Sequence, residues 1–199
     1  TPVLKGYGTD KGYDVATNAQ QVYGGHGYVG EWGMEQYVRD ARINMIYEGT
    51  NTIQSLDLLG RKVLGNNGAT LKKFGKLVAQ LIEQEGVNED MAEFINPIAY
   101  LGDKMTKFTT EIGFKGFQNP DEVGAAAVDY LRVAGHLVMG YFWARMAQVA
   151  LREIARAKAA TPNEEIFVIH NLISSNIVKE TIIGAGAASG GVKSCNWRR

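Results

Sequence analysis

Apolar residues recur at helical spacing along most of the chain. Val15, Ala19 and Val22 fall at i, i+4 and i+7. Met34, Tyr37, Val38, Ala41 and Met45 repeat the pattern, and Ile53, Leu56, Leu59 and Val63 follow it. The spacing predicts helices near 10–24, 34–47 and 52–64. Gly65-Asn66-Asn67-Gly68 then breaks the pattern, because both residue types tolerate left-handed backbone. Beyond it Leu71, Phe74, Leu77, Val78, Leu81 and Ile82 share a face, and a fresh start is predicted at Asn88-Glu89-Asp90. The next stripe runs through Met91, Phe94, Ile95, Ile98, Leu101, Met105, Phe108 and Ile112. Pro97 either kinks that helix or marks its true beginning, with Asn96 as cap.

Asn119-Pro120-Asp121-Glu122 places a cap residue, a proline and two acids in the order that favours helix initiation. From there the periodicity continues to about Ala160, a helix of about 40 residues and roughly 60 Å. Thr161-Pro162-Asn163-Glu164 has the form of a capping box, predicting a last helix through Ile166, Ile169, Ile173 and Ile177. Small residues crowd Gly184 to Gly191, a stretch that suits either close helix packing or a frayed end. Strand alternation is not persuasive anywhere. The expected fold is all-α, built of antiparallel helix bundles, with a boundary dividing 1–67 from a four-helix region, 68–199.

Composition narrows the chemistry. The 199 residues carry 21 basic and 21 acidic side chains, so no cationic face is expected for sequence-independent nucleic-acid binding. The single Cys195 excludes a disulfide scaffold and fits a reducing, cytoplasmic setting. No apolar run is long enough to span a bilayer. Twelve of the 24 glycines precede Ala69, and five lie between Gly24 and Gly33. Gly25-His26-Gly27-Tyr28-Val29-Gly30 satisfies G-x-G-x-x-G but follows a helical pattern rather than a strand, so the dinucleotide fingerprint lacks its context. His26 has no partner histidine nearby to make a metal site, His136 and His170 fall among apolar helical neighbours, and Cys195 has no activating group beside it. The run Tyr141-Phe142-Trp143 cannot face one core, so at least one of the three is expected to meet another helix or subunit.

A second candidate is Ile46-Tyr47-Glu48-Gly49-Thr50-Asn51-Thr52-Ile53-Gln54, in which a carboxylate ends an apolar helix and a capping threonine opens the next. A carboxylate in low-polarity surroundings has its charged form disfavoured, as a general base working near neutral pH requires. The N–H groups opening the helix after Thr50 would suit a developing anion. Read from the residues alone, a solvated helix-end acid and an ordinary cap are the favoured reading.

Those residues also carry a resemblance. Gln21-Val22-Tyr23-Gly24-Gly25-His26-Gly27-Tyr28, Glu35, Arg39-Asp40-Ala41-Arg42-Ile43 and the segment from Ile46 to Gln54 together resemble the C-terminal helical domain of FAD-dependent acyl-CoA dehydrogenases, densely from about Asp10 to Leu64. The remainder, from about Leu71, resembles more loosely an extra helical domain of a long subgroup that includes the methylmercaptopropionyl-CoA dehydrogenase type. The resemblance implies that Glu48 removes the α-proton of an acyl-CoA thioester while the β-hydrogen leaves as hydride. It implies that Tyr47 and Gly49 border the substrate, and that Gln21, Val22, Tyr23, Gly24 and Gly25 line the ADP half of FAD, often one bound mainly by a neighbouring subunit. Thr50, Asn51 and Thr52 would contact the cofactor beside the base. Electron-transfer flavoprotein or a similar acceptor, and a homodimer or higher homo-oligomer, are the implied partners. The family's middle β domain has no counterpart in these residues, so the chain is expected to be a catalytically silent part of a longer enzyme, binding FAD weakly or not at all. A non-catalytic helical interaction module and a piece of an acyl-CoA oxidase are the alternatives.

Overall fold

The computed structural model describes residues 1–160, with side chains described through Arg156. Among them the fold is all-α: six α-helices joined by short 3-10 and π turns, with no strand. None of the described helices is long and apolar enough to cross a membrane. The predicted last helix, the Gly184–Gly191 stretch, His170 and Cys195 lie outside the described residues.

The helical path begins earlier than the periodicity indicates. Wide π turns at Val3–Tyr7 lead directly into α1, Gly8–Val22. Helix α2 covers Met34–Ile43 and packs against α1. Helix α3 is a short Asn51–Leu56 segment against the Val3–Tyr7 turns, and the predicted helix to 64 continues as π turns over Asp57–Val63. The wider turns bring Lys62 as well as Arg61 to the Asp57 carboxylate, so that both cations hold it below the usual carboxylate range. The Gly65–Gly68 breaker is a left-handed turn, with φ of 54° at Asn67 and 71° at Gly68.

Helix α4 spans Ala69–Glu85, α5 Ala92–Gln118 and α6 Asp121–Ala160. Both predicted starts are capped by asparagine: the Asn88 side chain accepts from Asp90 N and the Asn119 side chain from Asp121 N, each at 3.2 Å. Pro97 lies inside α5, which overturns the Asn96 start. Proline in a helix interior removes one backbone bond at a cost of about 3 kcal/mol. Here Phe94, Ile95, Ile98 and Leu101, all buried, lie on both sides of it and hold the helix together.

The chain divides into two compact units. The first comprises residues 1–71 and 109–135; among the described residues the second comprises 72–108 and 136–160. In the first, α5 and α6 form an antiparallel hairpin: the Thr109 and Tyr130 hydroxyls are 2.7 Å apart, and Gly116 lies against Val123 nearer the turn. Tyr7 is buried with its ring against Gly135, and Gly6 faces Leu131, so side chains at either glycine would overlap their neighbours. In the second unit α4 runs parallel to α6, with Phe74 edge-to-face on Tyr141 and Glu85 further along on Gln148 and Arg152. Tyr141 is buried, whereas Phe142 is 56% exposed.

Candidate active site

The segment between α2 and α3 presents the carboxylate singled out in the sequence. Helix α2 ends at Ile43 rather than near 47, because the Asn44 side-chain amide donates to the Asp40 carbonyl at 3.0 Å. That carbonyl is the acceptor the next helical N–H would have used. Ile46 and Tyr47 close tight turns onto the Ile43 carbonyl at 3.0 and 3.2 Å, and the backbone turns left-handed, with φ of 53° at Glu48 and 81° at Gly49.

A left-handed backbone costs a non-glycine residue about 1–2 kcal/mol, so Glu48 keeps it only where contacts impose it. Gln54 Nε2 donates to the Glu48 carbonyl at 3.2 Å, and Lys5 Nζ donates to the Gly49 carbonyl at 2.8 Å. Asn51 N closes the loop onto the Met45 carbonyl at 3.2 Å. A Cβ at Gly49 would stand 3.1 Å from Gln54 Nε2, so both backbone angle and space select glycine there.

Asn51 anchors this loop to the start of the chain. Its Oδ1 accepts from Lys5 Nζ at 3.0 Å, and its Nδ2 lies 3.0 Å from the Gly6 carbonyl, 3.0 Å from Thr9 Oγ1 and 2.6 Å from Asp10 Oδ1. Thr50 caps α3, its hydroxyl accepting from Ile53 N at 3.5 Å, while the exposed Thr52 accepts the buried Ser55 hydroxyl at 2.6 Å on its carbonyl. Beside the loop opens a cleft of about 330 Å³, lined among others by Tyr7, Asp10, Arg42, Ile46, Thr50 and Asn51. Burial, with Asp14 reinforcing it, pushes the Tyr7 phenol above its ordinary pKa. Among the described residues the expected low-polarity corner is not formed: Glu48 is exposed, and Tyr47 is 47% exposed.

The glycine-rich segment folds as a 3-10 turn over Gly24–Gly27. The Gln20 side chain donates to the Gly27 carbonyl at 3.1 Å, and a Cβ at Gly27 would overlap the Gln20 carbonyl oxygen, so the turn closes only on glycine. His26 packs edge-to-face on Trp32 with ring centroids 5.2 Å apart. Gln21, Val22, Tyr23, Gly24 and Gly25 are all exposed. Nothing lies within 4 Å of where a Cβ would stand on Gly24 or Gly25, so a bulky anion has open access to that backbone.

The structure therefore gathers Tyr47, Glu48, Gly49, Thr50, Asn51 and Thr52 into one loop and helix start, and sets Gln21 to Gly25 apart from them. Lys5, bonded to the loop, and Gln21 lie toward opposite ends of one helical path, about 24 Å apart at 1.5 Å per residue. Sequence reasoning missed Lys5 and Thr9, and it quoted Gln54 within the candidate segment without giving it a role. The available signal was the i, i+4 spacing of Lys5 and Thr9 ahead of the first apolar stripe, which marks one face of a helix starting before Asp10.

Comparison with known proteins matches two stretches of the chain. The model of the acyl-CoA dehydrogenase C-terminal domain matches residues 1–64, and that described as acetyl-CoA dehydrogenase C-terminal like matches residues 71–170. The chain belongs to the acyl-CoA dehydrogenase family. It is 35% identical to a 3-methylmercaptopropionyl-CoA dehydrogenase of Ruegeria pomeroyi, over 78% of this chain and 26% of that protein. A broad-specificity linear acyl-CoA dehydrogenase of Mycobacterium tuberculosis is 28% identical over 83% of this chain and 28% of its own length. A butyryl-CoA dehydrogenase of Syntrophomonas wolfei is 36% identical over 47% of this chain and 15% of that relative. The chain spans about a quarter of the length of the first two relatives. Within this family the two matched regions meet near the left-handed turn at Asn67 and Gly68.

Proposed function

We propose that the chain forms the C-terminal part of an FAD-dependent acyl-CoA dehydrogenase and carries its catalytic base, Glu48. The observation that carries this reading is the loop itself: family membership combined with a left-handed Glu48-Gly49 backbone fixed at both carbonyls. A carboxylate on a clamped backbone is held ready for proton abstraction rather than free to fold back against its own helix. Glu48 takes the α-proton of the thioester, and the electron pair of that C–H bond becomes the Cα=Cβ bond of the enoyl product as the β-hydrogen leaves with its own pair as hydride, negative charge building on the carbonyl oxygen in passing. Bound FAD supplies the hydride acceptor. The α-proton is acidic enough only if the thioester oxygen is stabilised as it gains charge, a task assigned here to backbone N–H at Glu48 and Gly49. Tyr47 borders the acyl group. Because Glu48 is exposed here, the low-polarity surroundings a general base needs come from the bound substrate and the rest of the enzyme.

For the cofactor, Thr50, Asn51 and Thr52 beside the base would contact the flavin, and the open backbone of Gly24 and Gly25 with Gln21, Val22 and Tyr23 would hold the ADP half. The separation of these sets along α1 supports their facing two FAD molecules, the second held mainly by a neighbouring subunit. Residues 1–67 complete the catalytic helical domain, and 68–199 form the added helical domain. The chain alone is inactive and emerges colourless on purification, whereas electrons from the complete enzyme pass to electron-transfer flavoprotein or a similar acceptor. The exposed Val15, Val22, Tyr37 and Ile43 of α1 and α2 also favour a role in self-association. The test is Glu48→Gln in the full-length enzyme: α,β-dehydrogenation is lost by about 10²-fold or more while flavin absorbance stays. Retained activity removes Glu48 from this role.

A further inference from the structure

We propose that Lys5 is a positioning residue for Glu48, its ammonium group holding the Glu48–Gly49 turn in the left-handed backbone that presents the carboxylate. The proposal rests on the reading of Glu48 as the base. Lys5 lies 44 residues from Gly49 and belongs to the π turns at the start of the chain rather than to the loop. One ammonium hydrogen goes to the Gly49 carbonyl at 2.8 Å and another to Asn51 Oδ1 at 3.0 Å. The same cation therefore grips the turn at the residue after Glu48 and the side chain that opens α3.

The second clamp differs in kind. Gln54, on the Glu48 carbonyl, sits six residues away in α3 and moves with the loop. Lys5 with Asn51, which is bonded to Gly6, Thr9 and Asp10, instead fastens the loop to a separate helical segment. Both brace the left-handed pair, Gln54 from within the loop's own helix and Lys5 from a separate segment. Charge-assisted bonds of this kind are stronger than those between neutral partners, which suits a tether that holds strained backbone.

Two measurements test this. In the 199-residue chain, Lys5→Met should accelerate hydrogen exchange about tenfold or more over 45–52, with α4 and α5 unchanged; unaltered exchange over that loop overturns the tether. In the full-length enzyme, Lys5→Met should lower kcat by about 10²-fold with KM for acyl-CoA, flavin content and Tm unchanged, and Lys5→Arg, which keeps the donors, should recover part of kcat. A fall in kcat that follows a matching loss of Tm and flavin, with no recovery by arginine, marks a merely structural lysine and overturns the proposal. Glu48→Gln assayed alongside separates the readings: activity surviving that change removes the base, whereas the exchange result judges the tether independently.

Discussion

Helices α1 and α2 bury no residue at all, whereas α4 and α5 bury Val78, Leu81, Phe94, Ile95, Ile98 and Leu101 among others. Both regions show the same i, i+3, i+4 periodicity, and among the described residues only one satisfies it. The apolar stripe of α2 leaves Tyr37 68% exposed, while Ile98 of α5 is 1% exposed. Amphipathic pattern thus reports that a face is meant to be covered without reporting what covers it. Polar groups show the same contrast. Glu48 is exposed on a clamped loop, whereas Glu85 is buried and accepts from Gln148, Asn88 and Arg152.

The sharpest way to break this contrast is a pair of truncations in the 199-residue chain, read by urea unfolding. Ile98→Ala should cost about 2–5 kcal/mol through lost burial and the cavity left behind. Tyr37→Ala should stay within about 0.5 kcal/mol. Equal costs would mean that α2 is already covered, by a second copy of the chain.

A smaller effect is read by pH at Glu85. Hydrogen bonds from Gln148 and Asn88, with the Arg152 cation, hold the Glu85 carboxyl below its ordinary pKa. The unfolded chain therefore binds this proton more readily than the folded one, so the stabilisation is present above the unfolded pKa and is lost as pH falls through the folded one. Glu85→Gln should cost about 1.5–3 kcal/mol at neutral pH and flatten that part of the acid limb in a pH series of unfolding curves. An unchanged acid limb would assign it to other carboxylates, Asp57 among them. Smallest is the cap: Asn119→Ala should cost about 1 kcal/mol, seen as a lowered Tm with α5 exchange unaffected.

Periodicity was a good guide wherever packing within the chain agrees with it. The stripe from Met91 to Ile112 is one helix despite Pro97, because burial on both sides of the proline outweighs a missing bond. The asparagine caps were legible because capping is local chemistry. The candidate loop was legible as residues but not as geometry: Met45 lies on the apolar stripe, so the pattern carries α2 past its real end. What stops it is the Asn44 side chain on the Asp40 carbonyl, and what holds the loop beyond is a lysine 44 residues from Gly49; neither leaves a periodic trace. The exposure of Glu48 was likewise unreadable, since an apolar sequence neighbourhood is not an apolar surrounding in space.

Helix α1 lies between the loop-bonded lysine in the π turns before it and the glycine turn after it, and that makes it a spacer whose length is counted in residues. Substitutions along its exposed surface leave the separation unchanged. Inserting or deleting a single residue between Asp10 and Gln20 would shift one end by about 1.5 Å and swing it by about 100° around the axis, aiming the glycine turn at a different neighbour. This stretch of chain is therefore free to drift in composition but not in length.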